Sequence, residues 1–545
     1  MKYLSIIILI LIFSFKCLVG QSLYDRLGSR GSEFLMRQNL KGRVSLDTEV
    51  KPFTRLDVAK NLISLSPAYQ FFNEIEKDEY NFLVSEYYQE ISSLDKTVLR
   101  DNSKRFDAFS YQDSLFAFRF NPILGYGVNS IDGVSGYERW IGAGVSFTYD
   151  DWFSGAISIR DKGEFGDLVD KEKAFSEKRG AWYKSAPKGI EYSDVIGSIG
   201  VNWSWGSLSL RKDYLQWGQG TFGQVILSDK APSYPHVYLQ LKPVPWLRFT
   251  YLHGWLNSLV PDSSQYYYSY PGTISQGLST AYRRKYIAAN FLTFTPYDRI
   301  DISLGNSAVY SGDLRPEFFI PFMFFKLLDH NTGRGEVQDA NGAMFFDVSV
   351  KYPEKFHFYS SLFVDVTEIR NILKDDFRNT WSAYTLGVKG IDLLIDNFDA
   401  TLEYTRINPW VYEHRDAVTT YKHINYNLGH WLGQNADQFR IQLQYKPHHK
   451  LLVQGFLEKV RKGGEADIFY AYNYRENEPN EFAFMFGKRR DEFRTGVTVS
   501  FEYMHDLLVE FRYIYSDMTD QNASRYPGRI LGPAHSFSTS INYGF

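Results

Sequence analysis

From about residue 111 to its C-terminus, the sequence alternates apolar and polar side chains in segments of about nine to twelve residues. A period of two is typical of a β-strand with one apolar and one polar face, and the 3.6-residue period of a helix cannot produce it. The last segment is the clearest. One face carries Phe537, Thr539, Ile541, Tyr543 and Phe545, and the other carries Ser536, Ser538, Ser540, Asn542 and Gly544. Most of the chain is therefore predicted to be all-β.

Eighteen segments of this kind can be recognised, and the connections between them alternate in length. The segments begin near Ser114, Tyr137, Trp152, Val195, Ser207, His236, Leu247, Tyr282, Ile300, Met344, Phe356, Trp381, Phe398, Phe439, Leu451, Phe493, Leu507 and Phe537. Tight turns such as Asp150-Asp151 and His505-Asp506 alternate with long loops. The long loops lie at 161–193, 256–280, 311–342, 408–438 and 461–491. Short turns at one rim, long loops at the other and an even strand number are typical of an outer-membrane barrel.

The backbone gives the physical reason for closure. In lipid every amide must be paired within the protein, so a sheet crosses a membrane only when it closes on itself. We therefore predict an all-β transmembrane barrel of about 18 antiparallel strands, as in outer membranes of Gram-negative cells. Its apolar face contacts outer-membrane lipid, and the aromatic content of 17% suits interfacial girdles. A secreted β-rich binding protein is the alternative.

Composition and charge exclude two other classes. No stretch after residue 20 offers ~20 consecutive apolar residues, which excludes a helical membrane bundle. The 60 basic residues against 63 acidic ones give a net charge of −3, so nucleic acid is not an expected partner.

Residues 1–20 are predicted to be a secretory signal peptide. Lys2 precedes a short apolar run that ends at Phe15, and Gly20 is a small residue at a plausible cleavage point. Cleavage removes Cys17, the single cysteine, and with it any disulfide, thiolate nucleophile or cysteine–metal site.

Residues 21–110 are predicted to form a small helical bundle, and residues 111–545 the barrel. Helical spacing is present in 22–35, 56–63 and 71–91, with Pro52 as a break. Because the strand number is even, both chain ends lie on the short-turn side. The helices are therefore expected in the periplasm and the long loops outside the cell. The barrel assembly machinery is expected to recognise the C-terminal Phe545 during insertion.

Charges of both signs fall on the predicted inward faces. They are Arg211, Arg248, Asp301, Asp365, Glu403, Arg440, Glu458, Arg494, Glu502, Glu510 and Arg512. We interpret them as a structural salt-bridge network rather than as a selectivity filter. The segment Phe318–Phe325 is too apolar to extend into water, and we expect it to fold into the barrel mouth and narrow the lumen.

Motifs for catalysis are missing from the sequence. Gly125-Tyr126-Gly127 lacks the Lys and Ser/Thr of a phosphate loop, and no nucleophile elbow accompanies the serines. His423 and His430 are too far apart along a loop to resemble a metal site. We predict no catalytic residues, no metal and no cofactor, and we do not expect an enzyme.

Three segments together resemble the capsule-assembly Wzi-type outer-membrane protein family. The first runs from Leu23-Tyr24-Asp25-Arg26-Leu27 to Lys51-Pro52-Phe53-Thr54-Arg55, similar to the family's two opening helices. The second is Trp217-Gly218-Gln219-Gly220 with Leu227-Ser228-Asp229-Lys230-Ala231, where Gln219 stands in place of the family's Pro. The third is Gly305-Asn306-Ser307 followed by Phe318-Phe319-Ile320-Pro321. The resemblance implies an eighteen-stranded barrel with a periplasmic helical bundle and a lectin-like role in attaching surface polysaccharide to the cell.

The leading hypothesis for function is a non-enzymatic outer-membrane barrel that binds and anchors capsular or other surface polysaccharide. A porin or solute channel is the alternative, and a component of secretion or adhesion is a third class. Aromatic faces stack on sugars while charged and amide groups bind their hydroxyls and carboxylates, so we expect the site in the long loops. The candidate polysaccharide-binding residues are Trp217, Asp229, Arg315, Glu317, Trp410, Tyr412, His414, Tyr421, His423, Trp431 and Asp437.

Overall fold

The computed structural model of the protein describes residues 23–95, 97, 105–150, 152–269, 277–331, 340–367, 380–465, 467–469, 482–522 and 530–544. The predicted signal peptide with Cys17, part of the predicted loop 461–491 and the C-terminal Phe545 lie outside the described residues.

Within the described part of the chain, four α-helices precede the barrel. They are α1 Arg30–Leu40, α2 Arg55–Leu65, α3 Glu74–Glu86 and α4 Tyr88–Leu94. The side chains of Ser29, Thr54 and Asn73 accept a backbone N–H at the starts of α1, α2 and α3, which satisfies donors that a helix N-terminus leaves unpaired. Phe34, Leu62 and Leu83 belong to the buried core that joins the helices. None of the helices in the described residues is long and apolar enough to cross a membrane.

The strands described form a closed antiparallel barrel with eighteen long members, which confirms the predicted fold. They are β1 Phe116–Ile131, β2 Val134–Tyr149, β3 Phe153–Gly166, β4 Gly189–Trp203, β5 Gly206–Asp213, β6 Tyr234–Val244, β7 Leu247–Ser269, β8 Gly277–Tyr297, β9 Ile300–Ser311, β10 Ala340–Val350, β11 Phe356–Thr367, β12 Thr380–Gly390, β13 Phe398–Ile407, β14 Ala436–His448, β15 Leu451–Lys462, β16 Arg490–Met504, β17 Leu507–Asp520 and β18 Gly532–Tyr543. Each pairs with the next, and β18 closes on β1, where Ile541 faces Tyr126.

The faces of the strands follow the predicted alternation. Phe537 and Ile541 are half exposed on the outer surface, as are Leu304 and Phe346, while Asp301 points inward and is buried. One predicted loop is wrong, because β7 runs to Ser269 and β8 starts at Gly277, so most of 256–280 is a protruding hairpin. At one end of the barrel, the turn end, the connections span two to seven residues. At the other, the loop end, most are longer, and the two-residue turn Asp132-Gly133 between β1 and β2 is the exception.

The helices pack against the turn end. The Arg37 guanidinium of α1 donates to Asp392, at 2.8 Å, in the turn between β12 and β13. In α3, the Phe82 ring stacks on His505, in the turn between β16 and β17, with ring centres 3.8 Å apart. Ion pairs such as Lys446 with Glu79 add further contacts. The turn end is therefore covered by the helical region.

Between α1 and α2, the chain enters the lumen. The Arg248 Nε of β7 donates to Glu49 at 2.6 Å, and its Nη2 donates to Asp301 at 2.7 Å. The next residue, Val50, pairs in antiparallel register with Trp217. The N-terminal segment thus fills part of the lumen from the turn end.

The expected position of Phe318–Phe325 is wrong, because this segment lies on the outside of the barrel. We call residues 314–328 the outer segment. It contains the short 3-10 helix Pro316–Phe319 and the start of α5, Phe325–Asn331. Phe318 stacks on Tyr310 with ring centres 4.0 Å apart, and Phe322 stacks on Phe249 at 4.4 Å. Tyr310 and Phe249 alternate with inward residues such as Asp301 and Arg248, so they point outward.

Polar residues on the outer wall explain this position. Asn290 Nδ2 donates to the carbonyls of Pro321, at 2.9 Å, and Met323, at 2.8 Å. Asn306 Oδ1 accepts the N–H of Phe325 at 2.7 Å. Because an unpaired amide facing lipid is costly, these two asparagines favour a covering segment at this position. Apolarity alone predicted burial of the segment but could not distinguish the lumen from the lipid side.

Candidate functional site

The loop between β5 and β6, residues 214–233, enters the lumen from the loop end, and we call it the motif loop. Its two arms join where the Trp217 N–H donates to the Leu227 carbonyl at 2.8 Å. At its tip the N–H groups of Thr221 and Phe222 donate to the Glu403 carboxylate of β13, at 2.6 and 3.0 Å. An inward acidic side chain thus satisfies backbone donors of a buried loop.

A second anchor lies on neighbouring strands. The Gln219 N–H donates to Asp347 Oδ2 of β10 at 3.2 Å and to Ser361 Oγ of β11 at 3.1 Å. The preceding Gly218 has φ of +103°, which an L side chain rarely adopts. The turn at this point therefore depends on a glycine, and Gln219 occupies the position after it without disturbing the fold.

The loop between β13 and β14, residues 408–435, packs over the motif loop, and we call it the plug loop. The hydroxyls of Tyr412 and Tyr421 donate to the carbonyls of Val225 and Ile226 at 2.7 and 2.9 Å. The indole N–H of Trp431 donates to the Phe222 carbonyl at 3.2 Å. The aromatic residues of the plug loop thus fix the motif loop in place.

A third loop, residues 167–188, completes the closure. Lys230 Nζ of the motif loop donates to the carbonyls of Ser176 and Lys178, both at 2.7 Å. Arg179 forms an ion pair with Asp229 at 2.6 Å. Burial raises the pKa of Asp229, but the Arg179 charge and hydrogen bonds from Arg179 and Gln216 outweigh it and hold the pKa below its usual value.

Most of the predicted inward charges form ion pairs, which supports the salt-bridge interpretation, whereas Glu403 and Asp365 accept backbone N–H groups. Arg494 donates to Glu458 at 2.5 Å and to Glu177 of the third loop at 2.7 Å. Arg440 contacts the same two carboxylates at 3.4 and 3.2 Å. Arg248 pairs with Asp301 as described, and Arg512 pairs with Glu510 at 3.0 Å. These charges stabilise the strands and loops together and do not line an open pore.

The structure buries most of the candidate binding residues. Seven are less than one-tenth exposed: Trp217, Trp410, Tyr412, Tyr421, His423, Trp431 and Asp437. Four are partly exposed: Asp229, Arg315, Glu317 and His414. The motif loop and plug loop bring most of this set together, but Arg315 and Glu317 belong to the outer segment.

Two of the buried aromatic residues have unusual backbone geometry. Trp410 and Tyr412 have φ of +63° and +74°, a region that bulky residues rarely adopt. Such strain persists only where the surrounding contacts outweigh it, at a cost of about 1–3 kcal/mol for each residue. The Tyr412 hydroxyl donates to Val225 and its ring is fully buried, so packing maintains this conformation.

Two histidines of the plug loop are neutral because they are buried. Burial lowers the pKa of His430 to about 3, and Nδ1 of His430 accepts the Leu432 N–H at 3.2 Å. Burial, aided by the positive charges of Lys285 and Lys212, lowers the pKa of His423 to about 3. Among the described residues, no group of three or more His, Cys, Asp or Glu side chains could hold a metal ion.

The exposed aromatics at the loop end were missed by the sequence analysis. Trp182 of the third loop is 56% exposed. In the hairpin of β7 and β8, Tyr266, Tyr267 and Tyr268 are each more than half exposed. The signal was present in the run of three tyrosines, but the loop was not expected to be a regular hairpin. Exposed aromatic rings of this kind can stack on sugar rings, and a charged pair such as Arg179–Asp229 can bind sugar hydroxyls.

Comparison with known proteins identifies the relatives of this fold. The family model described as capsule assembly protein Wzi matches residues 196–530. Wzi of Escherichia coli, described as an outer membrane protein involved in group 1 capsule assembly and a carbohydrate binding β-barrel, has a similar structure. The TM-score is 0.57 at 13% identity, over 96% of this chain and 99% of that chain.

Two further solved structures match at lower similarity. OprD of Pseudomonas aeruginosa has a TM-score of 0.40 at 10% identity, over 78% of this chain and 94% of that chain. OccAB4 of Acinetobacter baumannii has a TM-score of 0.42 at 9% identity, over 79% and 98%. No curated protein sequence matches the chain.

Proposed function

The chain belongs to the capsule assembly protein Wzi family, which places it in the outer membrane, and on that premise we propose that it binds and anchors capsular or other surface polysaccharide without chemically converting it. The filled lumen is the observation that carries this proposal. The motif loop, the plug loop and the N-terminal segment occupy the space that a diffusion channel would need. A barrel with such a lumen is better suited to present a surface than to pass a solute.

The proposal includes an orientation. The helices at the turn end lie in the periplasm, and the loop end faces outward. The outer wall contacts outer-membrane lipid through residues such as Leu304 and Phe346, and the barrel assembly machinery recognises the C-terminal strand. Removing Phe545 should lower insertion, and normal outer-membrane levels of the truncated chain would contradict this recognition.

The glycan contacts are proposed on the exposed rim of the loop end. The rings of Trp182, Tyr266 and Tyr268 are each more than half exposed, whereas the plug loop aromatics Trp410, Tyr412 and Trp431 are buried. Arg179 and Asp229 supply an exposed charged pair beside the motif loop. Of the residues predicted from sequence, His414, Arg315 and Glu317 remain accessible. The buried ones, such as Trp410 and Trp431, act by supporting this surface.

Polysaccharide partition tests the proposal. Deletion of the gene should shift polysaccharide from the cell-associated fraction to the medium, and the wild-type chain should restore retention. A chain with Trp182→Ala, Tyr266→Ala and Tyr268→Ala should restore less retention at equal amounts of folded protein. Trp246→Ala is the matched control, because Trp246 is 52% exposed at the turn end. An unchanged partition after deletion would overturn the proposed function.

A further inference from the structure

One wall of the lumen is covered by the loops only near the loop end, where Arg494 and Glu164 contact the third loop. It consists of β16–β18 and β1–β4, and we call it the open wall. Its inward residues include Gly144, Ser146, Ala156, Ser158 and Ser198. Because these residues are small, a crevice of about 400 Å³ remains between the open wall and the N-terminal helices. Its lining extends from Arg179 at the loop end to Asp506 at the turn end. A volume of this size is typical of a small-molecule site.

Seven arginines and six acidic residues line the crevice, and nearly all of the arginines have a carboxylate partner. The pairs are Arg26–Asp506, Arg30–Glu502, Arg55–Glu86, Arg105–Asp506, Arg119–Asp107 and Arg179–Asp229. Arg160 is different, because no carboxylate among the described residues lies within 4.0 Å of it. Its cross-strand neighbours are Gly142 and Asp194, and Asp194 accepts instead from the Tyr214 hydroxyl at 3.0 Å.

A second polar group without a partner lies beside Arg160. The Nε of Arg160 and the Oγ of Ser158 are both buried without a hydrogen-bond partner in the described structure. They are two residues apart on β3, so both side chains point into the crevice. Buried polar groups normally have hydrogen-bond partners, so two neighbouring groups without a partner need an explanation. A planar guanidinium beside a hydroxyl matches the two oxygens of a carboxylate, which Arg binds bidentately.

We propose that this crevice binds the carboxylate of an acidic sugar, with Arg160 and Ser158 as its ligands. This site adds to the rim contacts, with Arg179 common to both, and it rests on the proposed function because it assigns the polysaccharide to the acidic class. The other crevice arginines already have carboxylate partners, which leaves the Arg160 guanidinium to bind a ligand carboxylate. The neighbouring Asp194 accepts from the Tyr214 hydroxyl instead. The small side chains on β2–β4 leave room for the sugar ring.

Thermal unfolding of the purified full-length protein in detergent, with added monosaccharides, tests the proposal. Glucuronate should raise the midpoint in a concentration-dependent manner, whereas glucose at equal concentration should not. Arg160→Gln should abolish the shift, and Arg160→Lys should retain part of it. Arg512→Gln is the matched control, because Arg512 is also an inward arginine of the open wall but pairs with Glu510.

Four outcomes would overturn the inference. They are no shift with glucuronate, an equal shift with glucose, an unchanged shift in Arg160→Gln and an equal shift with inorganic phosphate, which would indicate a general anion site. If Arg160→Gln fails to fold, equilibrium dialysis of the Ser158→Ala variant with glucuronate decides, with weakened binding expected and wild-type binding contradicting the proposal. Absent glucuronate binding with normal polysaccharide retention would reject this site and leave the proposed function intact.

Discussion

The motif loop and the outer segment both begin at the loop end of the barrel, but they lie on opposite sides of its wall. The motif loop enters the lumen, where Glu403 accepts N–H groups of Thr221 and Phe222. The outer segment follows the lipid-facing wall, where Asn306 accepts the Phe325 N–H. The difference indicates that a loop lies on the side of the wall where strand side chains pair with its backbone amides. An unpaired buried amide costs more free energy than is gained or lost in apolar contacts between the lumen side and the lipid side.

The largest expected effect comes from replacing Glu403, whose carboxylate holds the motif loop in the lumen. Glu403→Leu leaves the N–H groups of Thr221 and Phe222 without an acceptor, together with one hydroxyl of the hydrogen-bonded Tyr359–Thr221 pair. At about 1–3 kcal/mol for each of these three groups, the closed motif loop should lose about 3–9 kcal/mol. Limited proteolysis should then cleave the loop while the barrel remains folded. Glu403→Gln keeps one acceptor oxygen, so its motif loop should be cleaved less. If the motif loop of Glu403→Leu resists the protease as the wild-type loop does, Glu403 does not hold the loop in the lumen.

A smaller effect is expected from replacing Asn306, which holds the outer segment on the barrel wall. Asn306→Leu removes the acceptor of the Phe325 N–H and the donor to Asn290 Oδ1. The outer segment should lose about 2–3 kcal/mol of its attachment, because two buried hydrogen bonds are broken. A spin label on Phe322→Cys should become more mobile in this variant, and Leu304→Ala on the same outer face is the control. Opening of the lumen loops instead would show that the two sides are coupled.

Acid should destabilise the plug loop, which packs over the motif loop in the lumen. His430 and His423 of the plug loop have pKa values of about 3 when folded, against about 6.5 when unfolded. The unfolded loop binds more protons between these values, so its stability falls as pH decreases from about 6.5 towards 3, by up to about 1.4 kcal/mol per pH unit for each histidine. Hydrogen exchange should therefore accelerate with acid in residues 408–435, where both histidines lie. His430→Phe should reduce the dependence of the exchange rate on pH. An unchanged pH dependence would show that the buried histidine does not cause it.

The smallest effect is expected near the start of the outer segment. Arg284 and Asp313 form an ion pair of 3.1 Å, but their side chains are 67% and 94% exposed. Exposed pairs contribute about 0–1 kcal/mol. Arg284→Ala should therefore leave the thermal midpoint and the Phe322→Cys label unchanged. A loss comparable to that of Asn306→Leu would show that charge, rather than backbone pairing, positions the segment.

The barrel could be predicted from sequence because its evidence is local. Alternation in each strand and the length of each connection suffice to count eighteen strands, and the starts at Leu247, Ile300, Phe356, Phe398 and Leu451 agree to the residue. The inward charges followed from the same alternation, although their partners did not. Glu177, which pairs with Arg494, lies in a distant loop that no periodic pattern connects to β16.

The candidate site was harder to predict for a physical reason. Aromatic content marks both a sugar-binding surface and a packed loop, and only three-dimensional contacts distinguish them. Trp431 is buried because its indole N–H reaches the Phe222 carbonyl, more than 200 positions earlier in the chain. Trp182 has the same composition signal but stays exposed. The sequence therefore predicted that these aromatic residues lie in loops at one end of the barrel, but it could not distinguish the exposed ones from the packed ones.

Conductance of the purified protein in a planar lipid bilayer tests most directly the claim that this barrel binds at its surface rather than transports through its lumen. The wild-type protein is expected to show no steady large conductance at neutral pH, because the motif loop, plug loop and N-terminal segment fill most of the lumen. Glu403→Leu should show openings, which confirms that the inserted barrel is detectable in the same assay. A steady, large conductance of the wild-type protein would contradict the account and favour a solute channel.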